Sequence, residues 1–371
     1  MRKSFLLLVL VLLPIDSALH AQGSISHAQI TSFISQFSNN DSKVRLDAFY
    51  GLLDLTSSFN ITANSYSIPE QTTTLLALAP SSDTDTIRLA LINLLSQENV
   101  LVHASNQSFT GEQVLSEEYT DYYADLINVV VTLQDSRSIP ALVGAITSGG
   151  TAVGALAAFG NASITAVLQQ LSTSNEGVRG FATLTLIQML DSTNFPKLSV
   201  PTIFGLQSGL IKAASFPESY IAVEAGKNLQ QLDSKRVAVE IDIKPGRGVP
   251  STINLTSKRK IPVAILSTPS FNALSIDTST LTFGHTGYEH SLVSCNRHGE
   301  DANSDGLLDL VCHFSVSQTG FKVGDSKGIL KGIAGTPGPV LFAGSGAVRI
   351  IDNHCDREED DDCEDLEPRN R

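Results

Sequence analysis

Between Asp233 and Arg236 the hydrophobic pattern changes period, and this break constrains the fold more than any other feature of the chain. Upstream, from about Ser24 to Lys235, apolar residues recur every three or four positions, the spacing of helices that bury one stripe. Downstream, Val237-Ala-Val-Glu-Ile-Asp-Ile alternates apolar and polar residues and stops at Lys244-Pro245-Gly246, which reads as a strand and a turn. The expected fold is therefore multidomain, α plus β. An N-terminal α-solenoid would occupy residues 22–235, an antiparallel β-sandwich 236–351 and an acidic tail 352–371.

A chain of 371 residues, 42% of them apolar, has material for more than one packed core. Its net charge of −13 argues against nucleic acid and anionic membrane surfaces as partners, since both select basic patches. The tail from Asp352 carries ten acidic side chains against Arg357, Arg369 and Arg371, so it holds −7 of that charge. At the other end, Met1-Arg2-Lys3 precedes an apolar run from Phe5 to Leu13 that Pro14 stops, with small residues at Ala18 and Ala21. This is the layout of a signal peptide over residues 1–21, too short to span a bilayer. A secreted or periplasmic, cell-envelope protein is expected, with no transmembrane segment after signal removal.

A single register recurs along the helical region. Val44, Ala48, Leu52 and Leu55 set it, Ile87, Leu91 and Leu95 repeat it until Glu98, and Val178, Ala182, Leu186 and Met189 repeat it in full. Ile221, Ala225, Leu229 and Leu232 do so again. A shorter unit sets Ile139-Pro-Ala-Leu against Ile164-Thr-Ala-Val. Arg45, Arg88 and Arg179 each follow a first anchor, and Asp41, Asp83 or Asp85, and Asn175 stand where N-caps would accept from orphan amides. The combination resembles HEAT repeats, which implies stacked helix pairs that bury their apolar faces on one another. The Ser/Thr/Asn-rich stretches 58–72 and 98–112 are expected to be long loops. Tyr119, Tyr122 and Tyr123 are either a binding ridge or packing residues.

In the β region, Glu300-Asp-Ala-Asn-Ser-Asp-Gly-Leu-Leu-Asp-Leu places oxygen ligands at alternate positions, with Gly306 where a tight turn needs it. Clustered carboxylates repel unless a cation lies between them, and Ca²⁺ takes about six to eight oxygens. The expected cofactor is Ca²⁺, held by the side chains of Asp301, Asn303, Asp305 and Asp309 and the carbonyl of Leu307. Position 12 of the loop is Cys312 and Leu308–Phe314 reads as a strand, so this is not an EF-hand. Together with Val239-Glu-Ile-Asp-Ile-Lys-Pro-Gly and Ile261-Pro-Val-Ala-Ile-Leu, the segment resembles a module common at the ends of exported bacterial proteins. That resemblance implies an extracytoplasmic setting and no known activity.

Cys295, Cys312, Cys355 and Cys363 allow three pairings. Cys295–Cys312 is favoured, because it would staple the flanks of the acidic loop, and it leaves Cys355–Cys363 to close the tail. Candidate catalytic sets fall short. Gly324-Asp-Ser-Lys-Gly matches a nucleophile elbow, with Asp352 and His354 downstream, but Ile329–Ile333 reads as a strand where that motif needs a helix. His290, His298 and His313 lack zinc-helix spacing. A non-enzymatic binding or scaffold protein is therefore expected, with a protein or peptide on the solenoid surface. The alternatives are a module adhering to cell-surface polysaccharide, weakened by the absence of tryptophan, and a hydrolase using Ser326.

Overall fold

A computed structural model describes residues 24–57, 67–107, 116–335 and 338–352. The signal segment 1–21, the Cys355–Cys363 pair and almost all of the acidic tail lie outside these residues. The described chain forms two compact units that divide between Phe159 and Gly160. The first holds α1 (His27–Ile34), α2 (Ser42–Asp54), α3 (Ile68–Leu78), α4 (Thr84–Gln107), α5 (Glu117–Thr132), α6 (Ile139–Gly144) and α7 (Gly150–Phe159). The second begins with α8 (Ile164–Gln170), α9 (Glu176–Gln188), α10 (Val200–Ala213) and α11 (Ser219–Ser234), and continues into nine strands. Among the described residues no helix is long and apolar enough to cross a membrane.

The repeated register lies on α2, α4, α9 and α11, and its small Ala positions are buried: Ala48, Ala182 and Ala225. Asp41 caps α2 by accepting from the Lys43 amide at 2.9 Å, and Asn175 caps α9 by accepting from Val178 at 3.1 Å. The 25-residue unit falls on α6–α7 and α8–α9, with Ile139, Leu142, Ile164 and Val167 buried. The stretch 98–107 is not a loop. It continues α4, because the polar residues Glu98 and Asn99 are buried with partners rather than exposed. Likewise 67–72 opens α3, where Ser67 and Glu70 form a capping box ahead of a proline in the first turn.

The strands are β1 (Val237–Ala238), β2 (Ile241–Ile243), β3 (Ser251–Asn254), β4 (Lys260–Ile265), β5 (Thr282–Gly284), β6 (Leu292–Glu300), β7 (Asp309–Ser315), β8 (Lys327–Ala334) and β9 (Val340–Ile351). One sheet runs β1-β9-β8-β5 with β3 also on β9, and the other runs β2-β4-β7-β6. The two sheets share one core, where Phe283 and Phe342 of the first meet Val263, Cys312 and Phe314 of the second. The Phe283 and Phe314 rings lie 4.9 Å apart across it. Two pairings depart from the antiparallel expectation, because β1 and β3 both run parallel to β9. The alternating run after Lys235 also serves both sheets, splitting into β1 and β2 around Val239 and Glu240. Gly344 permits that crossing: a Cβ there would meet Ile241 Cγ2 at 2.6 Å and the Val239 carbonyl oxygen at 2.9 Å. The glycines of β9 thus mark close backbone approach rather than a turn.

Candidate functional site

The acidic loop connects β6 to β7, strands that also share the Cys295–Cys312 disulfide between directly paired residues. A crosslink that closes a loop of this size restricts the unfolded chain by about 3 kcal/mol in the entropy model. Inside the loop Asp301 bridges the turn: its Oδ1 accepts from the Asp305 amide at 3.0 Å and its Oδ2 from the Gly306 amide at 2.9 Å. Asn303 Oδ1 accepts from the Asp305 amide at 3.1 Å, and Asp305 Oδ1 accepts from Leu307 at 2.8 Å. Ser304 and Gly306 take φ of +62° and +89°. Space is open around Gly306, so the backbone angle alone is what favours glycine there.

Asp309 differs from its neighbours. It is fully buried, at 0% exposure, whereas Asp301, Asn303 and Asp305 lie on the solvent-exposed loop. Its Oδ1 accepts from the Ser267 amide at 2.7 Å and its Oδ2 from the Ala302 amide at 2.9 Å. Ser267 Oγ donates to the Leu308 carbonyl at 2.7 Å, fastening the end of the loop a second time. Among the described residues no Lys, Arg or His forms an ion pair with Asp309. Each of its oxygens still has a lone pair to give. Among the described residues no group of three or more His, Cys, Asp or Glu side chains gathers to hold a metal, Asp301, Asp305 and Asp309 included.

Two further charge centres lie outside the sequence-based expectations. In the first unit Glu98 of α4, at 0% exposure, takes Arg45 Nε on Oε1 at 2.6 Å and Arg45 Nη2 on Oε2 at 3.1 Å. Tyr122 donates to Oε1 at 3.1 Å and Tyr119 donates to Oε2, filling the carboxylate. Burial foremost, and then the hydrogen bond to Glu98, raises the Tyr119 hydroxyl far above its usual range. Tyr123 donates to Asn99 Oδ1 at 2.5 Å, and Asn99 donates to the Ala141 carbonyl at 2.8 Å. The three tyrosines are packing residues, buried to 8% or less. The register break at Glu98 thus obeys the register: the position faces inward and Arg45 supplies its counter-charge. Arg179 repeats the device. It pairs with Glu218 and donates to the Thr173 carbonyl at 2.9 Å, six residues back, as Arg45 does to Asn39 at 2.7 Å.

In the second unit Asp233 of α11 accepts from Arg236 Nε at 2.7 Å, from Tyr288 at 2.7 Å and from Lys331 Nζ at 2.9 Å. Lys331 of β8 is 7% exposed and lies 3.5 Å from the Tyr288 ring centroid. Arg236 also donates to the Gly332 and Phe342 carbonyls and to Gln207 of α10. This cluster binds the last two helices to the first sheet. Burial pushes Asp233 upward, but donors from Tyr288, Arg236 and Lys331 outweigh it and hold the carboxyl below its usual range. Lys331 shifts the other way, lowered chiefly by burial in spite of Asp233.

The remaining candidates are plainly placed. Ser326 leads directly into β8, and its carbonyl accepts from Val348, so no helix follows it. Asp325 bonds His285 at 2.9 Å, and the His290 ring packs edge-on to Phe204 at 5.8 Å. Between α9 and α11 an open groove of about 330 Å³ is lined by Gly180, Phe181, Leu184, Ile187, Tyr220 and Ile221. No family model matches this sequence, and neither does any curated protein.

Proposed function

We propose that this is an exported, non-enzymatic binding protein whose β region is stiffened by Ca²⁺ at the 301–309 loop and whose HEAT-like helical region presents a surface to a protein or peptide. Asp309 carries the calcium half of this reading. A buried carboxylate with backbone donors, and no cationic side chain among the described residues, costs several kcal/mol in desolvation, which a divalent ion beside it would offset. Asp301, Asn303 and Asp305, each with acceptor capacity left over, supply the oxygen-rich shell that Ca²⁺ prefers. Asp309 then serves as anchor and inner ligand together, and the Leu307 carbonyl completes the set. The partner half is supported by the apolar groove between α9 and α11, where Leu184 and Tyr220 stand exposed at 38% and 56%.

Thermal unfolding of the full chain in millimolar Ca²⁺ and in chelator tests the loop. An ion that binds only the folded state raises the midpoint, by about 2.7 kcal/mol of stability at a hundredfold excess over Kd. Asp305→Ala is expected to abolish the difference while leaving the chelator curve nearly unchanged, because the Asp305 side chain is exposed. Identical curves for the unaltered chain in Ca²⁺ and chelator would refute the reading.

A further inference from the structure

A glycine in the middle of α9 is not explained by the packing around it. Glycine weakens a helix interior relative to alanine, so it is kept where something must come close. Gly209 of α10 shows the ordinary cause: a Cβ there would meet Leu168 Cδ2 and Leu186 Cδ1, both at 2.6 Å. At Gly180 the nearest atoms to an added Cβ are Tyr220 Oη at 3.5 Å and Ile221 Cδ1 at 3.6 Å, ordinary contact distances. Alanine would fit. What Gly180 does instead is hold open the floor of the groove between α9 and α11, beside Phe181 and Ile221.

The rim of that groove is aromatic and acidic. Exposed Tyr220 donates its hydroxyl across the groove to Glu176 Oε1 of α9 at 3.1 Å. Glu224 lines the same groove one turn further along α11, next to exposed Val223. Lys227 reaches Glu224 Oε1 at 2.7 Å, but the pair is exposed, and a carboxylate has further acceptor sites to offer. Arg179 is neutralised by Glu218. We infer that the groove takes a peptide in which a bulky apolar side chain adjoins a lysine or arginine, the apolar group entering beside Gly180 and the cation meeting Tyr220, Glu176 and Glu224. This rests on the partner half of the reading above and gives that partner a chemistry.

Size, shape and charge agree. From Gly177 to Ile187 the α9 wall is about 15 Å long, and an open groove of that length between two helices suits a chain with successive anchors. Its volume of about 330 Å³ lies at the small end of ligand sites, enough for an anchoring side chain but not for a folded surface. A cation against an aromatic face is attracted by the negative quadrupole of the ring, and neighbouring carboxylates add to that attraction. An acidic peptide would meet like charge from the same two glutamates.

The chain contains no tryptophan, so the indole emission of a probe peptide reports binding without background. Anisotropy titrations use the full chain, in chelator to separate the result from calcium binding, with acetyl-Lys-Leu-Trp-Lys-amide and acetyl-Glu-Leu-Trp-Glu-amide. The basic peptide is expected to bind more tightly by about fivefold or more. Gly180→Leu, which fills the floor, and Tyr220→Ala should each weaken it by a similar factor. Gly226→Ala on α11, outside the groove with open space around it, should not. Glu176→Gln/Glu224→Gln should bring the two peptides together. Equal binding of both peptides that Gly180→Leu abolishes would overturn the inference and leave the partner reading standing, whereas binding of neither would sink both. Binding that survives Gly180→Leu and Tyr220→Ala would also overturn it. So would N-acetyltryptophanamide binding as tightly as the basic peptide, which would assign the groove to a small aromatic ligand. If circular dichroism shows Gly180→Leu unfolded, Tyr220→Ala decides, because its exposed position leaves the fold intact.

Discussion

Two buried carboxylates, Glu98 in the helices and Asp309 in the β sheet, are stabilised by opposite means. Glu98 receives a bidentate guanidinium and two phenol hydroxyls, all from other helices of its own unit. Asp309 receives two backbone amides and no cation from the described residues. The contrast separates a carboxylate neutralised by a paired guanidinium from one held by backbone donors alone. The first fixes the mutual register of α2, α4 and α5. The second ties the loop between β6 and β7 to Ser267 and Ala302 through their amides.

The comparison can be broken first at the helical centre. Arg45→Met leaves Glu98 buried without its counter-charge and is expected to cost about 3–5 kcal/mol, read as a lower urea midpoint. Arg45→Met with Glu98→Leu should recover much of that loss, since an apolar pair of similar volume needs no compensation. Recovery of nothing would mean that the two tyrosines matter more than the ion pair. Next in size, Cys295→Ser with Cys312→Ser is expected to remove about 3 kcal/mol from the β region and to weaken any calcium-dependent shift, since the flanks of the loop would separate more easily.

The smallest effect lies at Asp233 and is read through pH. Its folded carboxyl sits below its unfolded value, so the unfolded state binds more protons through the acid range. Stability is fully present above about pH 4 and is lost as pH falls through the folded value. Asp233→Asn should flatten the acid limb of a midpoint-against-pH curve by about 1 kcal/mol, discounted for the partial exposure of the carboxylate. An unchanged limb would remove this cluster from the acid response.

Much of the architecture is legible where burial follows apolar character. The change of period at Asp233, the anchors of α2, α9 and α11, the caps Asp41 and Asn175 and the Cys295–Cys312 pair can all be read from residue type and spacing. What escapes is polar but ordered. The helical run 98–107 reads as loop because Glu98 and Asn99 are unlike core residues until their partners are known. A useful signal is present: Arg45 and Glu98 both occupy fixed places in the repeated register and carry opposite charge. Strand β6 escapes because it is largely exposed, with no apolar alternation to mark it. The parallel pairings on β9 escape because register between distant strands is written in no local spacing. In the acidic loop the residue types are legible, but the burial of Asp309 is not.

Strand β9 also sets an order of events. It pairs with β8 just before it and with β1 and β3, so its residues 340–351 complete hydrogen bonding for two segments made about a hundred residues earlier. Helices of the first unit can form while the chain is still being extended, since their contacts are between near neighbours. The first sheet must wait with its central position vacant, and during that interval β1 and β3 expose unpaired edges. A ribosome releasing this chain thus delivers the first sheet half assembled, with closure deferred until β9 has emerged.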